Sequence, residues 1–244
     1  MHTGYYIAVI VLASFCAVLL AFSVFVIRKN GYVHKIREHL GLSPQGKGAP
    51  MDFAVEGWKN CLMKMDYECD VAFFGDSITR ASDFREFFDG VRICNLGFAG
   101  DTVEGIKRRV PMLEYVKPKK VFILIGINSL RDNNIDLTYR SYSELLDEVL
   151  GAVPGARIYV LSLLPVGAAK ERKSFGRGLV RNTTIRAFNE RLARLAAEKG
   201  TAFVDIYPAY EKDGQMDPAY TTDGLHIYGH YEPFAKVIEP YIYE

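Results

Sequence analysis

Short apolar runs alternate with helical patterns through most of the chain beyond residue 70, and this alternation limits the fold more than any other feature of the sequence. Runs of strand length are predicted at residues 71–74, 92–96, 121–125, 158–163 and 203–206. Strands separated by helices pair in parallel, because each helix carries the chain back to the starting edge of the sheet. The sequence therefore predicts an α/β fold, a three-layer α/β/α sandwich with a five-stranded parallel sheet.

The segments between these runs carry apolar residues at the spacing of amphipathic helices. The clearest faces are Tyr142, Leu145, Leu146 and Val149; Ile185, Phe188, Leu192 and Leu195; and Phe234, Val237, Ile238 and Tyr241. Pro111 interrupts the pattern that begins at Val103, so that helix is expected to kink or end early. Pro233 is expected in the first turn of the last helix, where a missing amide hydrogen costs little.

The N-terminal part of the chain has a different character. Residues 5–27 form an unbroken apolar or small stretch of 23 residues without a charge. Such a stretch can cross a hydrocarbon core of about 30 Å at about 1.5 Å per residue. We therefore expect one transmembrane helix, an anchor within residues 1–30, a juxtamembrane segment and linker over 31–50, and a single globular domain over 51–244.

Two other interpretations of the apolar stretch stay open, a cleaved signal peptide and a buried core helix. A signal peptide predicts basic residues before the apolar run, whereas Arg28 and Lys29 follow it. Together with Lys35 and Arg37, these charges favour a cytoplasmic position for residues 51–244 by the positive-inside rule. A long domain can translocate despite flanking charge, so an extracytoplasmic position is the alternative.

The charge balance gives no support to a nucleic-acid partner. The chain carries 30 basic and 29 acidic side chains, a formal net charge of +1, so no overall field attracts polyanions. Cys16 falls within the expected anchor, and Cys61, Cys69 and Cys94 form an odd set in the remainder. A complete disulfide framework is therefore excluded, although one bridge is not. Cys94 falls in a predicted central strand, where we expect a small buried apolar side chain.

Three short pieces stand in the chain order Ser, Asn, Asp, His: Gly75-Asp76-Ser77, Gly126-Ile127-Asn128 and Asp223-Gly224-Leu225-His226. Ser77 follows a predicted strand, so its hydroxyl is expected at the carboxyl edge of the sheet, where open α/β folds place their chemistry. Residues 51–244 contain two histidines, and only His226 has a carboxylate three residues upstream to hold its ring in one tautomer. The predicted catalytic triad is Ser77, His226 and Asp223.

With residues 95–102 added, these pieces resemble the four sequence blocks of the SGNH, or GDSL-type, esterases and lipases over residues 70–230. The resemblance implies the flavodoxin-like SGNH hydrolase fold and a serine hydrolase that cleaves carboxylic esters through an acyl-enzyme on Ser77, without a metal or organic cofactor. It also implies an oxyanion hole formed by the backbone N–H groups of Ser77 and Gly100 and the side-chain amide of Asn128. One departure is visible, because Ser129 stands where the family's third block usually has Asp.

Each of these residues also has a simpler structural interpretation. The Gly-Asp-Ser turn could merely end a strand and cap the next helix, and Gly100 could form a turn before a helix capped by Asp101 or Thr102. His226 and His230 are four residues apart, as metal ligands on a helix are, but the sequence offers no obvious third ligand. Neither a glycine-rich phosphate motif nor a Gly-x-Ser-x-Gly elbow occurs. We therefore expect no metal and no nucleotide cofactor.

The resemblance leaves the substrate open among small-molecule, lipid and acylated-glycan esters, since the family includes esterases, lipases, lysophospholipases and carbohydrate deacetylases. Two alternatives to hydrolysis are O-acyl transfer to a glycan and a catalytically silent, membrane-tethered binding domain. Residues 170–178 form a basic insertion after the fourth predicted strand. This insertion is expected to be a solvated loop, or a lid that contacts an acidic or lipid substrate.

Overall fold

The structure, a computed structural model, describes Gly57 and residues 67–131, 133–168 and 180–244. Three sequence predictions lie outside the described residues, namely the transmembrane anchor within 1–30, the juxtamembrane segment and linker over 31–50, and the basic insertion at 170–178. No helix within the described ranges has both the length and the apolar character needed to span a membrane.

Five parallel strands form one sheet, as the alternation of patterns predicts. They are β1 (Val71–Gly75), β2 (Ile93–Gly97), β3 (Lys120–Leu124), β4 (Arg157–Leu161) and β5 (Ala202–Val204). The spatial order is β2-β1-β3-β4-β5, which is that of a doubly wound sheet with its switch point between β1 and β3. In such sheets ligands bind at the carboxyl ends of the strands beside the switch point.

The register aligns the carboxyl ends of the three strands around the switch point. Gly75 of β1 pairs with Gly97 of β2 on one side and with Leu124 of β3 on the other. Residues that follow these three strands therefore emerge side by side, although they lie far apart in the sequence.

Six α-helices lie wholly within the described residues: α1 (Ser77–Arg80), α2 (Val103–Lys107), α3 (Pro111–Val116), α4 (Ile135–Ala152), α5 (Asn182–Glu198) and α6 (Glu232–Tyr243). The pattern that begins at Val103 is broken as predicted, since α2 ends at Lys107 and Pro111 opens α3. Pro233 lies in the first turn of α6, also as predicted. A short antiparallel pair, β6 (Glu211–Lys212) and β7 (Gln215–Met216), stands apart from the main sheet.

Aromatic side chains cover one face of the sheet. Phe73, Phe122 and Tyr159 occupy paired positions of β1, β3 and β4, and neighbouring rings stack with centroids 5.3 Å and 4.5 Å apart. Helix α6 packs on this face, where the ring of Tyr241 lies 5.5 Å from that of Tyr159. Ring pairs at these distances add a directional attraction to the area they remove from water. The contact fixes α6, which directly follows the loop that carries His226.

The predicted apolar faces of the two long helices are buried. On α4 and α5, all eight predicted core residues are at most 2% exposed: Tyr142, Leu145, Leu146, Val149, Ile185, Phe188, Leu192 and Leu195. On α6, Phe234 and Ile238 are buried, while Val237 and Tyr241 are partly exposed. The α6 face is therefore narrower than its sequence period predicts.

The expectation that Cys94 lies in a central strand is wrong. Cys94 belongs to β2, and the doubly wound order places β2 at the edge of the sheet, outside β1. The side chain is nevertheless buried, as is that of Cys69, and both thiols are free. Helix α1 and the short helical turn Phe84–Glu86 pack against β2, so this edge strand is partly covered.

Candidate active site

Ser77 lies two residues beyond the end of β1, at the first position of α1. The residue before it, Asp76, caps this helix, because its Oδ1 accepts a hydrogen bond from the N–H of Ile78 over 3.0 Å. The simpler interpretation of the Gly-Asp-Ser turn as a helix cap is thus correct for Asp76. Since the cap does not use Ser77, the hydroxyl of Ser77 is available for other contacts.

The hydroxyl of Ser77 donates to Nε2 of His226 over 2.9 Å, and Nδ1 of His226 donates to Oδ2 of Asp223 over 2.6 Å. Because the carboxylate accepts the proton on Nδ1, Nε2 carries the lone pair that the hydroxyl requires as an acceptor. The fold brings Ser77 and His226 together across 149 positions of sequence. The three residues of the predicted triad therefore form one hydrogen-bonded relay.

Asp223 is held as an ionised acceptor by the turn that it starts. Its Oδ1 accepts the backbone N–H groups of Leu225 and His226 over 2.9 and 2.8 Å. Partial burial alone would raise the pKa of this carboxyl, but the hydrogen bonds from His226 and Leu225 outweigh burial and lower the pKa to about 2. The carboxylate is therefore negative at neutral pH and can stabilise a cationic His226 ring.

The loop that carries His226 is tied to the helix that carries Ser77. Tyr231 donates its hydroxyl proton to the backbone carbonyl of Ile78 over 2.5 Å. The Tyr231 ring is buried and packs edge-on against Phe84, with centroids 6.0 Å apart. This buried contact holds the two halves of the relay in register, because it joins them within a few residues of the reacting groups.

Gly100 lies in the turn between β2 and α2 with a φ of +74°, a conformation that favours glycine. Thr102 caps α2 by accepting the N–H of Gly105 over 3.0 Å, so the expected turn before a capped helix is present. A Cβ built on Gly100 meets nothing within 4 Å, which means that the space beside this turn is open. Within the described residues, neither the Gly100 N–H nor the Ser77 N–H donates a hydrogen bond. Both N–H groups can therefore donate a hydrogen bond to an oxygen of a ligand.

Asn128 follows β3 and reaches toward the turns after β1 and β2. Its Nδ2 donates to the backbone carbonyl of Asp101 over 2.9 Å and lies 3.4 Å from Oδ2 of Asp76. The first contact is a good hydrogen bond, whereas the second is long, so one amide hydrogen is weakly held. Asn128 thus contacts the residue after Gly100 and the residue before Ser77, so the three predicted oxyanion residues lie on adjoining turns at this edge of the sheet.

Ser129, the departure from the family's third block, accepts the N–H of Val103 on its Oγ over 2.9 Å. This bond joins the turn after β3 to the first residue of α2. From the other side, the amide of Asn134 donates to the carbonyl of Ser129 over 2.8 Å. A hydroxyl therefore supplies a hydrogen-bond acceptor at this position, without the charge that an Asp would add.

Asp76 is a part of the site whose environment the sequence does not reveal. The residue is 1% exposed, and burial raises the pKa of its carboxyl to about 7. The N–H of Ile78 and the Arg109 guanidinium oppose this rise in pKa, while the nearby negative charge of Asp101 adds to it. A carboxyl that titrates close to neutral pH therefore lies directly before the predicted nucleophile.

Two further residues beside the relay were not predicted from the sequence. Arg109, in the turn between α2 and α3, is fully buried and pairs with Asp101, although an Arg side chain is almost never fully buried unless it is paired. Tyr228 is 56% exposed, and its ring stacks on that of His226 with centroids 5.0 Å apart. The one sequence signal for Tyr228 is its place just after the Asp-x-x-His piece; Arg109 has no comparable signal.

The two histidines of the domain do different things. His226 is engaged in the relay, whereas the ring of His230 packs edge-on against Tyr220 with centroids 5.8 Å apart. In the part of the chain that the structure describes, no group of three or more His, Cys, Asp or Glu side chains lies close enough to hold a metal ion. Within the described residues, the two histidines therefore do not belong to a set of side chains that could bind a metal.

A Ser–His–Asp relay at the carboxyl edge of a parallel sheet, with free N–H donors beside the serine, is the arrangement of serine-dependent acyl hydrolases. The sequence model of the GDSL-like Lipase/Acylhydrolase family matches residues 73–227, which is more than half of the chain. The chain belongs to this family. The match confirms the resemblance drawn from the four sequence blocks.

Several solved structures share the fold. A GDSL-like lipase from Bacteroides thetaiotaomicron VPI-5482 is 20% identical, with a TM-score of 0.60 over 78% of this chain and 97% of that chain. A variant of an acetyl-xylooligosaccharide esterase from Geobacillus stearmophilus is 19% identical, with a TM-score of 0.55 over 74% and 96%. The periplasmic domain of a lipopolysaccharide acetyltransferase from Salmonella ser. Paratyphi A is 15% identical, with a TM-score of 0.57 over 87% and 96%. No curated protein matches the sequence significantly.

Proposed function

We propose that the protein hydrolyses carboxylic esters through an acyl-enzyme formed on Ser77. The observation that carries the proposal is the continuous relay from Ser77 through His226 to Asp223, with its two hydrogen bonds of 2.9 and 2.6 Å. Such a relay can remove the hydroxyl proton while the oxygen attacks a carbonyl carbon. Membership of a family of lipases and acylhydrolases supports the same reaction class.

In the first step, the Ser77 oxygen attacks the ester carbonyl while Nε2 of His226 takes the hydroxyl proton, and the carbonyl oxygen becomes an oxyanion. His226 then gives this proton to the leaving alcohol as the carbon–oxygen bond breaks, which leaves an acyl ester on Ser77. Water attacks that ester in the same way and releases the carboxylic acid. The ionised Asp223 carboxylate stabilises the imidazolium that forms in each step.

The oxyanion is assigned to the N–H groups of Ser77 and Gly100 and to the side-chain amide of Asn128. Support comes from the two backbone N–H groups that lack a partner within the described residues, and from the weakly held hydrogen of Asn128, whose second contact measures 3.4 Å. Donors that are already in place need no reorganisation when negative charge develops, and this is why they lower the barrier.

Replacement of Ser77 by Ala tests the proposal directly. We expect Ser77→Ala to abolish hydrolysis of short p-nitrophenyl esters and to keep the circular dichroism spectrum of the parent, because loss of one hydroxyl creates little void. Ser82→Ala is the matched control, since Ser82 Oγ is a nearby buried hydroxyl without a hydrogen-bond partner in the described structure. Full activity in a folded Ser77→Ala variant would end the proposal, and an inactive parent would favour a silent binding domain.

We propose further that the alcohol part of the substrate is a sugar. Tyr228 supports a sugar, because its ring stacks on the His226 ring with an angle of 25° between the two ring planes, and the residue is more than half exposed. In the mechanism above, His226 gives its proton to the leaving alcohol, so the alcohol lies beside this ring. The apolar face of a pyranose packs well on an exposed aromatic ring. Two proteins that share the fold are named for reactions on saccharides, the acetyl-xylooligosaccharide esterase and the lipopolysaccharide acetyltransferase.

The sugar proposal is tested by a pair of substitutions and a pair of esters. Tyr228→Leu should raise KM for an acetylated xylo-oligosaccharide by about two- to tenfold, the loss expected for one aromatic contact, and leave KM for ethyl acetate unchanged. Tyr228→Phe should resemble the parent with both esters. Equal changes in KM for the two esters would contradict the proposal. Free acetate and acetylated acceptor, measured in the same reactions, separate hydrolysis from acyl transfer.

For localisation we propose that residues 1–30 anchor the chain in a membrane with residues 51–244 on the cytoplasmic side. The uncharged stretch of 23 residues and the basic residues that follow it support this arrangement. Protease added to intact cells, or to spheroplasts where an outer envelope exists, should leave residues 51–244 whole. Digestion of this segment without lysis would show the opposite orientation. Recovery of the chain in a soluble fraction would contradict the proposed membrane anchor.

A further inference from the structure

Arg109 donates hydrogen bonds in three directions from a fully buried position. Its Nε donates to Oδ2 of Asp101 over 2.8 Å, its Nη1 to the carbonyl of Leu96 over 2.7 Å, and its Nη2 to the carbonyl of Gly75 over 3.0 Å. Nη2 also contacts Oδ2 of Asp101. The guanidinium therefore bridges the carboxyl ends of β1 and β2 and the turn that follows β2.

The acceptors of Arg109 lie beside each of the assigned oxyanion donors. Gly75 comes shortly before Ser77 in the chain, and Asp101 directly follows Gly100. The carbonyl of Asp101 also accepts the amide of Asn128 over 2.9 Å, so the third donor is joined to the same network through one residue. A single buried cation thus contacts the backbone carbonyl of Gly75, two residues before Ser77, and the side chain of Asp101, which follows Gly100 and accepts the amide of Asn128.

Two aromatic rings fix the plane of this guanidinium. Its central carbon lies 4.9 Å from the centroid of the Phe74 ring and 4.3 Å from that of Phe98. Rings at these distances attract a cation and limit its rotation. Burial lowers the pKa of Arg109, and the Asp101 carboxylate opposes that effect.

Stability alone is a poor explanation for such a group. A buried ion pair costs about as much to desolvate as its attraction returns, so apolar residues of similar volume often stabilise a protein as well or better. Here, however, two of the acceptors are backbone carbonyls at strand ends, and apolar residues could not hold those carbonyls in place. The planar fork of an Arg is suited to this role, because it presents several donors in a fixed geometry.

We propose that Arg109 is a positioning residue that sets the geometry of the oxyanion hole. It holds the turn before Ser77 and the turn after Gly100 at one separation, and through Asp101 it also orients the Asn128 amide. This inference rests on the proposed esterase function. It predicts that damage to Arg109 lowers the stabilisation of the transition state more than the binding of substrate.

The first test is Arg109→Lys, which keeps the charge and loses the fork. We expect kcat for a short p-nitrophenyl ester to fall by about 10- to 100-fold while KM changes less than about threefold. Val149→Ala is the control for a general loss of stability, because Val149 is 0% exposed and lies on α4, outside the site. A similar loss of kcat in both variants, compared at matched fractions folded, would reduce Arg109 to a structural residue.

A double-mutant cycle separates positioning from a remote structural effect. If Arg109 acts through the oxyanion donors, the double variant Arg109→Lys/Asn128→Ala should have a kcat within about threefold of that of the less active single variant. The reason is that both substitutions impair the same oxyanion hole. Losses of kcat that simply multiply would overturn the inference. Should Arg109→Lys fail to fold, Phe98→Leu replaces it in the same cycle, because this substitution removes a ring from the guanidinium and keeps the core apolar.

Labelling of Ser77 by a fluorophosphonate keeps the inference distinct from the function on which it rests. In the parent protein, a label on Ser77 together with multiplying losses of kcat contradicts the positioning role alone. A parent protein without a label on Ser77 contradicts the esterase function, and the positioning role falls with it.

Discussion

At the scale of single residues, Asn128 has two possible uses for its amide hydrogens in the free enzyme. One hydrogen is bound by the carbonyl of Asp101 over 2.9 Å, and the other lies toward the carboxyl of Asp76 at 3.4 Å. The first bond orients the amide, and the second is long and weak, as the proposed oxyanion role of Asn128 requires. Asp101 therefore sets the direction of the Asn128 amide. The contact with Asp76 has to break before the second amide hydrogen can bind the proposed oxyanion.

Removal of this amide should have the cost of one oxyanion donor. We expect Asn128→Ala to lower kcat by about 10²- to 10³-fold with a smaller change in KM, because the donor meets charge that develops only in the transition state. Steady-state kinetics with a short p-nitrophenyl ester measure both constants. Asn133→Ala is a suitable control, since Asn133 is exposed in the same loop. An unchanged kcat in Asn128→Ala would remove Asn128 from the oxyanion hole.

Asp223 should be needed for the tautomer of His226. In Asp223→Asn an amide replaces the carboxylate at 2.6 Å from Nδ1, so the ring loses the charge that keeps its proton on Nδ1 and stabilises the imidazolium. We expect kcat to fall by at least about tenfold, with the fold retained. Asp213→Asn provides the control, because Asp213 lies in an exposed turn with a φ of +53° that Asn tolerates. Equal rates for the parent and Asp223→Asn would contradict the assigned role.

At this scale, much of the site could be predicted from short pieces of the sequence. Ser77, Asn128, Asp223 and His226 were predicted because each belongs to a short piece whose residue types and order point to one chemistry. Arg109 and the buried state of Asp76 were not predicted, because burial of a charge depends on which segments of the chain meet in space. A sequence read by itself gives no sign that the carbonyls of Gly75 and Leu96 require the same donor.

At the scale of secondary-structure elements, β2 ends in close contact with α1. A Cβ added to Gly97 would lie 2.3 Å from the backbone nitrogen of Arg80 and 2.7 Å from its Cα. Because backbone atoms cannot move aside as a side chain can, the strand and the helix would have to separate. The approach of these two elements places the turn after β2 next to Ser77.

Gly97→Ala should therefore destabilise the protein by about 1–3 kcal/mol or more, the usual range for overpacking. Gly151→Ala is the matched control, since a Cβ there meets nothing within 4 Å and Gly151 lies inside α4. Ala is the better helix former, so the control should be neutral or more stable by up to about 1 kcal/mol. Urea unfolding of both variants gives the two free energies. Equal stability of Gly97→Ala and the parent would contradict the close packing of β2 on α1.

The strands and helices were largely predictable from the sequence, whereas the order of the strands in the sheet was less so. Apolar runs located all five strands to within a few residues, and Pro111 correctly predicted the break between α2 and α3. The position of Cys94 was predicted wrongly, since periodicity within a segment does not say which strand lies at the edge. Strand order follows from the way the connecting helices cross the sheet, and that is a property of the packed chain.

At the scale of the whole molecule, two carboxyls of the site shift stability with pH in opposite directions. The pKa of Asp76 rises from 3.8 to about 7 on folding, so its contribution to stability is largest at low pH and is lost as pH rises toward 7. The pKa of Asp223 falls from 3.8 to about 2, so its contribution is present above pH 3.8 and is lost as pH falls toward 2. Between pH 4 and 7 the Asp76 effect dominates the pair.

Asp76→Asn should therefore flatten the dependence of stability on pH between about 4 and 7, because the amide does not titrate. Urea unfolding of the parent and the variant at pH 5.0 and pH 7.5 gives the change of the unfolding free energy for each protein. We expect the parent to lose more stability than the variant over this interval. The same loss in both proteins would show that Asp76 does not carry the raised pKa.

The central claim, that Ser77 is a nucleophile activated by His226, is tested most directly by covalent labelling. A fluorophosphonate forms a bond only with an activated hydroxyl, so we expect one labelled peptide that contains Ser77 in the full-length protein. The label should be absent in Ser77→Ala and present in Ser82→Ala, and modification should be slower in Asp223→Asn. A folded parent protein that takes no label, or takes it on another residue, would contradict the account of this site.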